Sequence, residues 1–377
     1  MFTAPMDTQA SAHIATRPPP TPTAARAPLR IGGLELASPA VQAALSGYSD
    51  LPMRRVARRW GAALTINEVV LDQHVIHSGK LQREILRVPD DDHPVGGQLL
   101  GSEPRDFALA ARLMAEAGYD LIDLNFGCPV KKVLGRCRGG FLLSEPSTAL
   151  EIVARVREAL PEPTPLTLKM RRGMDDSAES EEQFWQILEG AWERGVAAVC
   201  VHGRTVRQRY VGPSRWSFLA EVRRRFPGQT LLGSGDVFTA TDAVALLHQT
   251  GVDGVWCARG SIGAPWIFRQ IDRLLAGEDL GPPPSITEQR AAVELHLAEA
   301  LAAYGPQRGA RMFRKFGIKY SESHPAGVAL RDAFIACRDE ADLQAVLDQW
   351  YDPAKDYGPL RHRQGPGDLV AAGACGA

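Results

Sequence analysis

Asp123-Leu124-Asn125-Phe126-Gly127-Cys128-Pro129 (DLNFGCP) sets a short apolar run directly against an amide, a thiol and a proline. With the residues before it the run covers 120–125 (DLIDLN), a length that suits a buried strand better than a helix. Proline cannot donate a ladder hydrogen bond, so Pro129 ends the strand and Cys128 stands at its mouth. The same layout recurs along the chain. Apolar, β-branched runs lie near 41–46 (VQAALS), 63–69 (ALTINEV), 94–100 (PVGGQLL), 165–170 (PLTLKM), 197–202 (AAVCVH), 230–234 (TLLGS) and 252–257 (VDGVWC). Helix-like segments separate most of them, among them 104–117, 147–160, 179–194 and 239–250. Strand-plus-helix units repeated about eight times predict a TIM (β/α)8 barrel. A doubly wound open sheet is the alternative, because short apolar runs do not fix closure. After about residue 285 the strand runs cease, and 287–304, 307–320 and 339–350 read as helices. The expected organisation is a disordered tail over 1–28, a barrel over 29–280, a helical domain over 285–352 and a tail over 353–377.

Composition narrows the class. Of 377 residues, 45% are hydrophobic and 23% charged, as in an ordinary globular protein with a large core. The formal net charge is −1, so any attraction to nucleic acid must come from local patches. No apolar run approaches the roughly 18 residues a membrane span requires. The first 28 residues are rich in Ala, Pro and Thr and cannot bury enough apolar surface to order themselves. Their proline run also argues against the amphipathic helix of a transit peptide. Cys128, Cys137, Cys200, Cys257, Cys337 and Cys375 form no C-x-x-C pair, which predicts reduced thiols in a cytoplasmic protein. A metal site is not expected: Cys128 and Cys137 lack a second pair, and His74 and His77 lack an acidic partner.

In a barrel of this kind the chemistry sits at the C-terminal ends of the strands. The third run delivers Gln98 there, the fourth Asn125 and then Cys128, the fifth Lys169 and the sixth His202. The last two end in glycine-rich turns, GSGD (233–236) and ARGSIG (258–263). Singly, a strand-end amide usually caps a turn, a lysine is solvated and a histidine is structural. Their joint occurrence at equivalent places is what points to a site. Glycine-rich turns after the last two strands can present backbone N–H groups to a phosphate. Neither turn is a Rossmann G-x-G-x-x-G. A phosphate-bearing cofactor at this rim would meet Lys169 and His202, and a cation suits a cofactor that is anionic when reduced, as flavin is.

Seven stretches now carry a resemblance: GYSDLPMRR (47–55), HPVGGQLLGSEP (93–104), DLNFGCPVKKV (123–133), LKMRRG (168–173), VHGRTVRQRY (201–210), GSGDVFTATDA (233–243) and DGVWCARGSIGAPWIF (253–268). In that order and spacing the chain resembles the tRNA-dihydrouridine synthases from about Ser38 to about Asp352. The resemblance implies an FMN-dependent barrel with a helical RNA-binding domain, a tRNA substrate, NADPH as reductant and a monomer. It implies that Gln98, Asn125, Lys169 and His202 hold the isoalloxazine ring. The turns at Ser234, Gly235, Asp236, Ala258, Arg259 and Gly260 hold the phosphate. Reduced FMN gives a hydride to C6 of a uridine and Cys128 protonates C5. An acid still protonated near pH 7 is needed, and a cysteine with a pKa of about 8.5 qualifies. Cys200 and Cys257 read as buried structural residues. Leu45, Leu134, Ser234 and Ala258 stand where the family usually has methionine, asparagine, asparagine and glycine.

A uracil stacked in folded RNA must be extracted before it reacts, and the flanking phosphates need cations. Lys131, Lys132, Arg136 and Arg138 follow Cys128 with no acid between them. Arg308, Arg311, Lys315 and Lys319 recur at helical spacing with Arg314 beside them, in a stretch from Gly305 to Tyr320 that has no acid. Arg204, Arg207, Arg209 and Arg215 form a third basic stretch. Two alternatives stay open: an FMN barrel that reduces a small pyrimidine or enone, and a catalytically silent RNA-binding relative.

Overall fold

The computed structural model describes residues 27–361. The expected tails lie outside these residues, apart from 27–28 at one end and 353–361 at the other. All eight strand runs are strands. A hairpin of β1 (Leu29–Ile31) and β2 (Leu34–Leu36) comes first, followed by β3 (Ala40–Gln42), β4 (Leu64–Ile66), the two-residue β5 (Val70–Leu71) and β6 (Val95–Leu100). Then come β7 (Leu121–Phe126), β8 (Leu166–Arg171), β9 (Ala198–His202), β10 (Leu231–Ser234) and β11 (Gly254–Cys257). β3 pairs with β11 on one side and β4 on the other, and β4 also pairs with β6, all in parallel. Those contacts close the sheet and exclude the open doubly wound alternative. The barrel strands are buried almost throughout, as parallel strands covered on both faces must be.

Register decides what meets at the rim. Asn125 lies opposite Lys169, Arg171 opposite His202, and His202 opposite Ser234. Polar strand ends from separate units are thereby brought level. At the other end the hairpin closes the barrel: Leu29, Ile31 and Leu36 pack with Leu64, Leu121 and Trp256. Sequence reading did not single out this hairpin, whose strands are three residues each.

The expected helices appear close to their expected bounds, for example Pro104–Glu116, Pro146–Ala159 and Ala178–Glu193. Side chains supply the start signals. Thr239 with Asp242 and Ser285 with Glu288 form capping boxes, and Gly251 (φ 70°) ends Ala240–Thr250 in the left-handed conformation. Beyond the barrel lie Ile286–Tyr304, Pro306–Tyr320, Gly327–Ala336 and Glu340–Trp350. Their core holds Leu297, Phe313, Phe316, Leu330, Phe334 and Leu347. Met53, Ile262 and Trp266 from the barrel side complete that core, with Leu45 and Tyr48 packed against it. Tyr48 meets Phe316 edge-on at 5.6 Å. Tyr304 donates to Asp50 at 3.0 Å, and Lys315 donates to the Gly47 carbonyl.

Candidate active site

The C-terminal ends of the strands surround a pocket of about 430 Å³. Gln98, Asn125, Cys128, Lys169, His202, Ser234, Gly235, Asp236, Ala258 and Arg259 all line it. Gly260 lies just behind, where an added Cβ would stand 2.6 Å from the Val237 carbonyl. Only glycine lets the backbones approach so closely.

A chain of hydrogen bonds runs up the wall from inside the barrel. Asp123 is fully buried and accepts from Thr167 Oγ1 (2.6 Å) and Gln98 Nε2 (2.8 Å). Gln98 Oε1 accepts from Asn125 Nδ2 (2.8 Å), and Asn125 Oδ1 accepts from the backbone N–H of Gly127 (3.1 Å) and Cys128 (3.0 Å). Each amide NH₂ carries a second hydrogen beyond these bonds. Burial pushes the Asp123 carboxyl up to about 6, against the opposing effect of its two donors and of Lys169, so it is ionised above neutrality.

Cys128 is half-buried, and burial raises its thiol above the ordinary range. The protonated form therefore persists through neutral pH. The strand ends at Phe126, so Gly127 and Cys128 form a turn before Pro129 rather than a strand end. Two glycines fold the following basic segment back onto it. Gly139 (φ 60°) would place a Cβ 2.9 Å from the Cys128 Cβ, and Gly140 N donates to the Cys128 carbonyl at 3.1 Å. Within that segment Lys131–Leu134 is a short helix.

The Lys169 side chain is deeply placed and makes no hydrogen bond or ion pair among the described residues; its Nζ lies 5.9 Å from the Trp256 ring centre. Burial lowers its pKa. His202 is driven well below its ordinary value by burial first and then by Lys169, Arg171, Arg204 and Arg259. The ring is neutral, and Nδ1 accepts from Arg204 N at 3.1 Å, which leaves the proton on Nε2.

Arg204 is only 3% exposed and binds both carboxylate oxygens of Asp236 at 2.7 Å. Asp236 (φ 58°) also accepts from Ser214 N. The expected role of Arg204 is therefore revised: it does not present its charge to RNA on the surface. The Asp236 carboxylate, held by Arg204 and Ser214 N, shapes a turn that lines the pocket. Arg204 Nη1 and Ser214 Oγ are buried without a hydrogen-bond partner among the described residues, and Ser214 Oγ sits 2.4 Å from where a Gly235 Cβ would stand.

Sequence reading passed over Arg171, which donates to the carbonyls of Gly127 (2.9 Å), Thr205 (2.9 Å) and Arg209 (2.8 Å). Burial lowers it to about 10. Its signal was present in LKMRR: two residues past Lys169, it shares that residue's face of the strand. Tyr210 was also missed. It is 59% exposed, with the guanidinium groups of Arg171 and Arg259 at 5.7 and 4.9 Å from its ring centre.

The expected RNA-facing cations divide. Lys131, Lys132, Arg136 and Arg311 are exposed. Arg138 is partly buried. Arg308 lies 3.9 Å from Glu84, and Lys319 pairs with Glu322 at 2.7 Å. Arg314 donates to the Cys337 carbonyl at 3.1 Å, and Lys315 to that of Gly47. The helix thus lacks a row of free cations: protein groups already hold three of the four on the expected face. Among the described residues no group of three or more His, Cys, Asp or Glu could hold a metal, and no helix is long and apolar enough to cross a membrane.

Comparison with known proteins agrees with this geometry. A family model described as dihydrouridine synthase matches residues 41–355. A probable tRNA-dihydrouridine synthase 1 from Synechocystis sp. is 32% identical over 89% of this chain and 93% of its own. A probable tRNA-dihydrouridine synthase from Rickettsia conorii is 32% identical over 88% and 99%, and tRNA-dihydrouridine synthase B from Xanthomonas axonopodis pv. citri is 31% identical over 86% and 95%. Among solved structures, histamine dehydrogenase from Rhizobium sp. 4-9 superposes with a TM-score of 0.53 at 17% identity, over 72% of this chain and 50% of that one. Morphinone reductase in complex with tetrahydroNAD gives 0.52 at 17%, over 70% and 93%. These two speak for the barrel alone. The family match and the relatives cover barrel and helices alike, and the chain belongs to the dihydrouridine synthase family.

Proposed function

We propose that this protein reduces uridine in tRNA to 5,6-dihydrouridine, with Cys128 as the proton donor to C5. The observation that carries the reading is a half-buried thiol, held in its protonated form, beside a cation-lined pocket. The donor set fits FMN. Lys169 without an acid partner, His202 with its proton on Nε2, and the second amide hydrogens of Gln98 and Asn125 suit a polar ring that becomes anionic on reduction. Ser234, the glycine turns at Gly235 and Gly260, Ala258 and Arg259 suit its phosphate. A bound FMN, recharged by NADPH, supplies the hydride that C6 of the base receives.

The chain's own residues do the rest. Cys128 Sγ releases its proton as the C5–H bond forms and regains one from solvent. Arg171 holds the Cys128 turn against the loop after β9. Lys131, Lys132 and Arg136, exposed and next to Cys128 in sequence, are placed to hold phosphates flanking the extracted base, and Arg311 adds a contact from the helical region. The active species is taken to be a cytosolic monomer.

The direct test is position-resolved mapping of dihydrouridine in total RNA with and without this gene. Loss of the modification at defined tRNA positions is expected. An unchanged map, with turnover of a small enone by the purified flavoprotein, would replace this reading with that of a small-molecule reductase. Lys131→Ala with Lys132→Ala should raise the KM for tRNA several-fold at about 0.15 M salt and make the slope of log KM against log salt shallower by about 1–2, since each lost phosphate contact removes about 0.9 from it. Titration of steady-state rates at four salt concentrations would read this out.

A further inference from the structure

The buried end of the hydrogen-bond chain has no part in the chemistry proposed above. Asp123 sits inside the barrel, makes no ion pair among the described residues, and cannot touch a base. Yet an ionised carboxylate offers only acceptors. Gln98 must therefore turn its NH₂ group toward Asp123, so its oxygen faces Asn125. Asn125 must then turn its own NH₂ toward Gln98, so its oxygen faces the turn and receives the N–H groups of Gly127 and Cys128. Flipping either amide would set like against like at 2.8 Å.

We infer that Asp123 is a positioning residue for the proton-donor turn: through the enforced amide orientations of Gln98 and Asn125 it holds the backbone of Cys128 in place. Thr167 supports it from the far side by filling the other carboxylate oxygen. The role belongs to the acceptor and not to the charge. An asparagine at 123 could still accept from Gln98 while giving its NH₂ to the Thr167 hydroxyl, which accepts as readily as it donates. A leucine of similar shape could do neither, and would leave the Gln98 amide free to turn.

The inference rests on reading Cys128 as the proton donor for its meaning, but its test does not. Flavin-free protein is treated with iodoacetamide across a pH series, and alkylation at Cys128 is followed by peptide-resolved mass spectrometry. Asp123→Leu is expected to speed alkylation at pH 8 by about tenfold, because freeing the turn exposes the thiol and relieves the burial that raises its pKa. Asp123→Asn should stay within about twofold of the parent. Should Asp123→Leu fail to fold, Gln98→Leu severs the same chain one link higher and should reproduce the acceleration. A parent-like alkylation profile in a folded Asp123→Leu or Gln98→Leu protein would overturn the inference, as would an Asp123→Asn protein as altered as the leucine variant. If Cys128→Ala still made dihydrouridine, the proton-donor reading would fall while the alkylation result stood.

Discussion

Cys128→Ala is expected to slow the transfer of reducing equivalents to tRNA by about 10²–10⁴-fold, the range a positioned general acid contributes. Flavin content and the rate of flavin reduction by NADPH should be unchanged, because the thiol lies at the mouth of the pocket and not among the groups proposed to hold the cofactor. Single-turnover reoxidation of the reduced enzyme by tRNA isolates the affected step. Cys128→Ser should resemble alanine, since a hydroxyl is a far weaker acid than a thiol. The pH profile gives a second reading. Burial raises the thiol above its ordinary value, so the donor form is retained through neutrality. The wild-type rate should hold level there and fall only as pH climbs through the raised value. Alanine removes that alkaline limb. Full product from the alanine variant would refute the acid role.

Lys169→Met is expected to separate cofactor binding from stability. The ammonium, set deep in the pocket, has no carboxylate or other acceptor within hydrogen-bond reach among the described residues, which is a costly way to leave a charge. The substitution should weaken FMN binding by about 10–200-fold, the worth of one hydrogen bond to a charged group. It should also stabilise the flavin-free protein by about 1 kcal/mol, as relief of a strained functional site commonly does. Flavin fluorescence titration and urea unfolding would measure the two effects. The sign with pH comes from the lowered pKa. The folded protein bears the cost of the charge wherever the amine is protonated, so methionine's advantage is full below the depressed folded value. It shrinks as pH rises through the depressed folded value, where the native lysine becomes neutral. Tighter flavin binding by the methionine variant would contradict the assigned role.

What could be read from the sequence was whatever depends on local period and spacing. Runs such as DLIDLN and AAVCVH became β7 and β9, and Pro104–Glu116 began on its proline as expected. Closure was not legible, because β4 meets both β3 and β6 through contacts that no short run encodes. Gly327–Ala336 escaped because it buries only Leu330 and Phe334, too little for a helical period to stand out. At the site, GCP and VHGRT led to the right rim, but partners distant in sequence decided what each side chain does there. Arg204 looks like a surface cation until Asp236, 32 residues later, meets it in space. The cations of Pro306–Tyr320 form a basic face on paper, yet Glu84, Gly47, Cys337 and Glu322 each take up one of them. Lys169 and Arg171 are two residues apart on one strand. One stays unpaired while the other is anchored by three carbonyls, a difference set by loops from other units.

The segment after β3 belongs to two bodies at once. Leu45 and Tyr48 form part of the pocket wall, and the same side chains pack into the core of the C-terminal helices. Gly47 takes the Lys315 ammonium and Asp50 takes the Tyr304 hydroxyl. A load applied to the helices is therefore felt where the base would sit, some of it through a single short loop. For an enzyme acting on a large folded RNA, this provides a route by which contacts far from the reacting carbons can be spent on organising them. A minimal substrate that keeps the uridine but lacks the distal contacts should then lose turnover as well as affinity.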